Sequence, residues 1–149
     1  MEYPFRIERY EFIPDTGGPG KYRGALGLRR DIRLLQDEIT WARYGDRQRF
    51  APFGLFGGKP GSPGQFVLNP GTPGERVMKS KGLDTLQAGD VVSLRLPGAG
   101  GYGDPSERDP SLVLKDVRDG KVTQKRARDD YGVQAPEAVP GAGGDQSTK

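Results

Sequence analysis

The sequence predicts a mainly β protein of the α+β class: a turn-rich antiparallel sheet or barrel-like β domain followed by two short C-terminal helices. Three observations carry this expectation. Val92, Leu94 and Leu96 alternate with Ser93 and Arg95, the period of a strand with one buried face. The 24 glycines and 13 prolines among 149 residues punctuate short apolar segments instead of forming a tract, which is the composition of a chain that turns often. After Pro105 the apolar spacing lengthens, as between Val113 and Val117, and that interval is helical.

The elements follow in order. In residues 5–12, Phe5 and Ile7 share one parity while Tyr10 and Phe12 share the other, so the segment reads as a bulged or edge strand. Residues 13–20, IPDTGGPG, make a compact turn ahead of Lys21 and Arg23. Successive main-chain amides beside two cations suit an anion such as a carboxylate or phosphate. The stretch is not a phosphate loop, because Asp15 stands where the first glycine should be and Tyr22 follows the lysine. Leu28, Ile32 and Leu34 fall on one face of a strand, and Ile39, Trp41 and Arg43 on one face of the next. The connection Gln36-Asp37-Glu38 then predicts a hairpin.

Asp46 and Arg47 end that unit, and Arg47 and Arg49 are further candidate anion contacts, set against the plainer reading that such arginines are solvated or paired with an acid. Residues 51–61, APFGLFGGKPG, carry Phe53, Leu55 and Phe56 inside a glycine-rich loop. Three large apolar groups together predict a plug for a core or for a partner surface. Residues 66–68 and 76–78 are short strands about Asn69-Pro70-Gly71, and Gly89 marks a tight turn into the strand at 92–96.

Pro97 ends that strand, and Gly98, Gly100, Gly101 and Gly103 surround Tyr102. Such a run predicts a main chain that approaches another backbone or a ligand closely. Its spacing matches GxGxxG, but Pro105 follows at once and no helix can begin before Asp109, so a dinucleotide site is rejected. Asp109 caps a helix with Pro110 in its first turn, and Gly120 stops it. Thr123 caps a second helix ending at Gly132, with Lys125/Asp129 and Arg126/Asp130 as ion pairs one turn apart. Residues 135–149 read as a disordered tail. The expected division is a glycine-rich β domain at 1–104, a helical segment packed on it at 105–134, and the tail.

Composition removes several functions. There are 23 basic and 20 acidic side chains, interleaved along the chain, so no basic stripe for nucleic acid is present. Cysteine and histidine are both missing, which excludes disulfides, thiolate nucleophiles, Cys/His zinc sites and a histidine base. No metal site is expected in the chain. Mean hydropathy is −0.72, and neither a signal peptide nor a bilayer-spanning run is visible, so the expectation is a soluble cytoplasmic protein without membrane contact.

Four strings, PDTGGPGKYRGALG, YGDRQRFAPFGLFGGKPG, LQAGDVVSLRLPGAGGYGDPSERDP and VRDGKVTQKRARDDYGV, taken in order resemble the C-terminal portion of the hydantoinase B/oxoprolinase family. The resemblance runs from about Tyr3 to about Val133. Ala25 and Ala99 replace family glycines, and Ala51 and Phe53 stand where proline and tryptophan are common. Members are normally several times longer, and their metal-binding histidine and acidic motifs lie upstream. The resemblance therefore implies a C-terminal part or small subunit that binds no cofactor itself, with ATP and a divalent metal held by a partner or by the missing portion. It implies a hetero-oligomer with the upstream portion of the B-type subunit and a hydantoinase A-type ATP-binding subunit, opening a hydantoin or 5-oxoproline ring; related enzymes carboxylate ketones, and a noncatalytic binding module or truncated remnant is the remaining alternative. Catalytic residues are unassigned. The loops expected near substrate or partner carry Gly17, Gly18, Lys21, Arg23, Asp46, Arg47, Gly57, Gly58, Lys59, Gly98, Gly100, Gly101, Tyr102 and Gly103.

Overall fold

The computed structural model describes residues 3–134; the tail expected at 135–149 lies outside the described residues. Five strands form an open antiparallel sheet in the order β1 (Phe5–Ile13), β2 (Gly27–Leu34), β7 (Val91–Arg95), β4 (Gln65–Leu68) and β5 (Arg76–Met78). Two more, β3 (Ile39–Tyr44) and β6 (Lys81–Leu86), pair as a separate ribbon. Among the described residues no sheet closes on itself, so the arrangement is the open sheet and not the barrel-like alternative.

The parity switch in β1 has the cause its sequence implied. β1 is an edge strand, and its register against β2 shifts between Ile7 and Arg9. The bulge brings Phe5, Ile7, Tyr10 and Phe12 opposite Leu34, Ile32, Arg30 and Leu28, so all four apolar groups of β1 share one face. That face continues through Val92 and Leu94 of β7 to Leu68 and Phe66 of β4.

The ribbon covers one end of this face. Leu34, Leu68, Leu86 and Val92 form the buried cluster, with Ile32, Ile39, Trp41 and Met78 packed against it, and Trp41 meets the Phe66 ring edge-on at 5.9 Å. Arg43 of β3 is also buried: it stacks over Trp41, pairs with Asp84 and donates from Nε to the Lys79 carbonyl. Gly82 lies opposite Arg43 in the ribbon, and a Cβ there would reach 2.7 Å from the guanidinium.

Two expectations need correction. β2 and β3 are not a hairpin, because β2 is already flanked by β1 and β7 while β3 pairs with β6. The end of β2 is saturated: Leu34 exchanges main-chain hydrogen bonds with Gly89 and Asp90, and the Leu35 amide donates to the Pro4 carbonyl. Glu38, at φ 59°, leads the chain into the ribbon instead. Neither is β7 buried only on its apolar side. Leu96 is half exposed and Ser93 is fully buried, because Ser93 sits opposite Asp31 beneath the long side chains of Arg29 and Arg95. Burial works against the Asp31 carboxylate, but hydrogen bonds from Arg29 and Ser93 hold it below the usual aspartate range.

The C-terminal helices form where the caps place them. Asp109 accepts from the Ser111 amide ahead of α1 (Pro110–Arg118), and Thr123 accepts from the Arg126 amide ahead of α2 (Gln124–Tyr131). Gly132 closes α2 in the left-handed region. Val113, Val122 and Ala127 make a second buried cluster with Val117, Tyr131 and Val133 around it. A single 3₁₀ turn, Pro105–Glu107, capped by Asp104, precedes them. Both that turn and strand β6 are additions to the expected elements.

Candidate functional site

Three glycine-rich segments, residues 16–24, 53–61 and 98–103, lie side by side beyond the ends of β2 and β7. Their main chains are cross-bonded to one another. The Gly18 amide donates to Ala99, Lys21 to Gly103, Lys59 to Pro19, Gly101 to Lys59 and Leu55 to Gly101, while Tyr22 and Tyr102 exchange two bonds. The backbone here satisfies itself without belonging to a regular ladder.

Glycine is required for close approach at most of these positions, not for an unusual dihedral. A Cβ on Gly18 would stand 2.2 Å from the Lys59 carbonyl oxygen, on Gly58 2.1 Å from that of Gly101, on Gly98 1.9 Å from that of Thr16, and on Gly100 1.9 Å from that of Phe53. Gly17 faces the Gly24 carbonyl at 2.2 Å in the same sense. Only Gly57 and Gly103 among the candidate glycines have left-handed backbones, at φ 91° and 73°. The predicted close approach is thus to another backbone. Ala99 is tolerated because its side chain is exposed while its amide and carbonyl stay bonded to Ala25 and Gly18.

The cations of the first loop are paired with acids of this chain. The amides of Gly18, Lys21, Tyr22 and Gly24 all donate to carbonyls. Lys21 Nζ lies 3.0 Å from Glu107, whose hydrogen bond and charge raise its pKa. Arg23 grips Asp116 of α1 through Nε at 2.9 Å and Nη2 at 3.3 Å, and Arg108 reaches the same carboxylate at 2.8 Å. Burial opposes ionisation of Asp116, but the two arginines overcome it and hold its pKa below the ordinary value. Lys59 approaches Asp130 of α2 at 3.4 Å, and Asp15 accepts from the Thr123 amide. These contacts fasten both helices to the glycine layer. Sequence reading missed Asp116, Arg108 and Asp15; the available signal was an acid, Asp116, on the same helical face as Val113 and Val117.

Asp46, Arg47 and Arg49 lie elsewhere, along an open polar groove of about 500 Å³ with Phe50, Ser80 and Lys81. Arg47 links the two regions, since its guanidinium stacks over Phe53 at 5.8 Å and its carbonyl accepts from Gly64.

The outer surface of the layer is aromatic. Tyr102 stands between Tyr22 and Phe56, with ring centroids at 6.2 and 5.0 Å. Phe53, Leu55 and Phe56 are all exposed, Phe56 at 76%, so the second loop presents its apolar groups outward and does not plug this chain's core. A Phe56→Ser change is expected to shift the melting temperature of the chain by no more than a few degrees, since an exposed substitution is worth about 0.5 kcal/mol. A loss of folding on circular dichroism would refute that placement.

No group of three or more His, Cys, Asp or Glu side chains among the described residues is arranged to hold a metal ion. No helix among them is long and apolar enough to cross a membrane.

The comparisons agree with this architecture. The family described as hydantoinase B/oxoprolinase matches residues 1–105. An uncharacterized protein of Methanocaldococcus jannaschii is 41% identical over 136 residues, covering 89% of this chain and 23% of its own. The caprolactamase subunit beta of Pseudomonas jessenii is 35% identical over 135 residues, 88% of this chain and 23% of its own. The crystal structure of the ATP-dependent caprolactamase from Pseudomonas jessenii superposes with a TM-score of 0.80 at 34% identity, over 91% of this chain and 24% of that one. The chain thus spans under a quarter of the length of these relatives. The self-bonded glycine layer is assembled from the ordered glycine strings read in the sequence, the family matches more than half of the chain, and the protein belongs to the hydantoinase B/oxoprolinase family.

Proposed function

We propose that the chain is the C-terminal part or a small subunit of a hydantoinase B/oxoprolinase-type enzyme and contributes to ATP-dependent opening of a cyclic amide. The observation that carries this reading is the superposition on an ATP-dependent caprolactamase over nine-tenths of the chain. Hydantoin, 5-oxoproline and lactam rings share the bond to be broken, an amide within a ring. ATP and a divalent metal would be held by the preceding portion of the B-type polypeptide and by a hydantoinase A-type partner. The role of this chain is to supply a rigid layer: its loop cations are paired with Glu107, Asp116 and Asp130, which leaves positioning, not proton transfer, as their task.

The test is a chimera in which residues 3–134 replace the matching region of caprolactamase subunit beta, assembled with the enzyme's other subunit. Caprolactam-dependent ATP hydrolysis by the chimera is expected, together with none by the purified chain given caprolactam, hydantoin or 5-oxoproline. A folded, assembled chimera without turnover, or turnover by the chain alone, would overturn the proposal.

A further inference from the structure

The apolar face of the five-stranded sheet is only half covered. The β3–β6 ribbon closes the end around Leu34 and Val92, but between that core and the glycine layer the same face is bare. Phe12 is 65% exposed, Tyr10 61%, Ile7 52% and Leu96 50%, and Leu28, Arg30, Leu94 and Leu96 line a hollow of about 120 Å³ among them. The β1 bulge is what gathers these groups, since without the register shift Tyr10 and Phe12 would point to the other face from Phe5 and Ile7. An ordered apolar layer of this kind left in water marks an interaction surface.

The bare half also contains one polar demand. Arg30 Nε is buried without a hydrogen-bond partner, although its guanidinium stacks over Tyr10 at 4.8 Å and touches the Tyr10 hydroxyl through Nη2. A cation set among apolar groups is unfavourable unless it is paired, so whatever seats here should bring an acceptor to the terminal nitrogens of the guanidinium.

We infer that the bare half of this face is the seat of another segment of the hydantoinase B-type polypeptide, an apolar strand or helix face that presents a carboxylate or carbonyl oxygen to Arg30. The inference rests on the family reading above. Relatives carry about three-quarters of their length outside the region matched here, so they hold ample chain to cover it. A second copy of this chain fits less well. Two-fold pairing of the faces would set Arg30 near its own counterpart, and the face formed by Phe5, Ile7, Tyr10, Phe12, Leu28, Ile32, Leu94 and Leu96 offers no acid to answer it.

Hydroxyl-radical labelling of Phe12 and Leu96 in the free chain and in the caprolactamase chimera decides the matter. Several-fold slower labelling in the chimera is expected, with amide exchange of β1 slowed in parallel. The double change Phe12→Ser and Leu96→Ser should leave melting of the free chain nearly unchanged while lowering that of the chimera. Equal labelling in the two proteins would overturn the inference, as would protection in the free chain that rises with its concentration, the sign of a second copy. If the chimera does not fold, native caprolactamase subunit beta gives the same readout at the positions aligned with Phe12 and Leu96; solvent-open positions there would overturn the inference. A protected face in a chimera without turnover would refute the proposed activity and leave the seat standing.

Discussion

Replacing Gly101 by valine is expected to destabilise the chain by about 3 kcal/mol, combining overpacking with the loss of main-chain hydrogen bonds. A Cβ at Gly101 would stand 2.1 Å from the Pro19 carbonyl oxygen and 2.6 Å from that of Gly18. Both contacts are backbone, so no flexible side chain can yield. The segment would have to move away, breaking the bonds from the Gly101 amide to Lys59 and from the Leu55 amide to Gly101. Gly100→Val should behave similarly, with the Phe53 carbonyl as the obstacle. Ala99→Val is the control: its side chain is exposed, and the expected change is within about 0.5 kcal/mol. Gly71→Ala separates steric crowding from dihedral strain, because Gly71 has φ 74° and a Cβ there would meet nothing within 4 Å, so it should lose only about 1 kcal/mol. Denaturant unfolding of the four variants checks the series. A Gly101→Val protein as stable as Ala99→Val would show that the layer is loosely packed.

Removing the carboxylate of Asp116 has the second large effect. Arg23 and Arg108 both donate to it, with side chains 15% and 10% exposed. Asp116→Ala would leave two partly buried guanidinium groups facing each other without their shared anion. Breaking a buried charge pair by deleting one partner costs roughly 3–5 kcal/mol, and the residual exposure of both arginines places this case near the lower end. The loss should concentrate on the helices, since Asp116 ties α1 to the first glycine loop; faster amide exchange in α1 and α2 than in β2 is the expected signature. Uniform exchange across both regions would mean that helices and sheet unfold as one unit.

The same group sets a pH dependence. The folded pKa of Asp116 lies below its ordinary value of 3.8, so its stabilisation is fully present above that value and is lost as pH falls through the lower, folded one. Asp31, depressed in the same direction from 3.8, adds to the loss in the same acid window. Melting temperature should therefore fall below about pH 3.8, and an Asp116→Asn variant should show a shallower fall. An unchanged slope in that variant would assign the acid transition to other carboxylates.

Local signals were legible wherever a single residue type answers a single need. Asp109 and Thr123 cap helices because a short acceptor side chain meets the free amides of a first turn, and Gly132 ends α2 because its backbone is left-handed. The two-parity pattern of β1 was readable as a bulge or edge, and both are present. The pairing of β3 was not readable. Ile39, Trp41 and Arg43 define a face, but the choice between β2 and β6 as partner depends on which edges other strands have already taken. Lys21 and Arg23 were legible as cations beside glycines, but their partners Glu107 and Asp116, 86 and 93 residues away, were not.

By itself the sequence determined the β-then-helix order, the capped helix ends and the glycine strings that place the chain in its family. Those depend on local sterics, on hydrogen bonding within a few residues and on residue identity. Only the tertiary structure decided that the glycines pack backbone against backbone, that Asp116 is shared by two arginines, and that half of an apolar sheet face stands uncovered. Each of those is a relation between segments far apart in the chain, and a linear pattern carries the need for a neighbour without naming it.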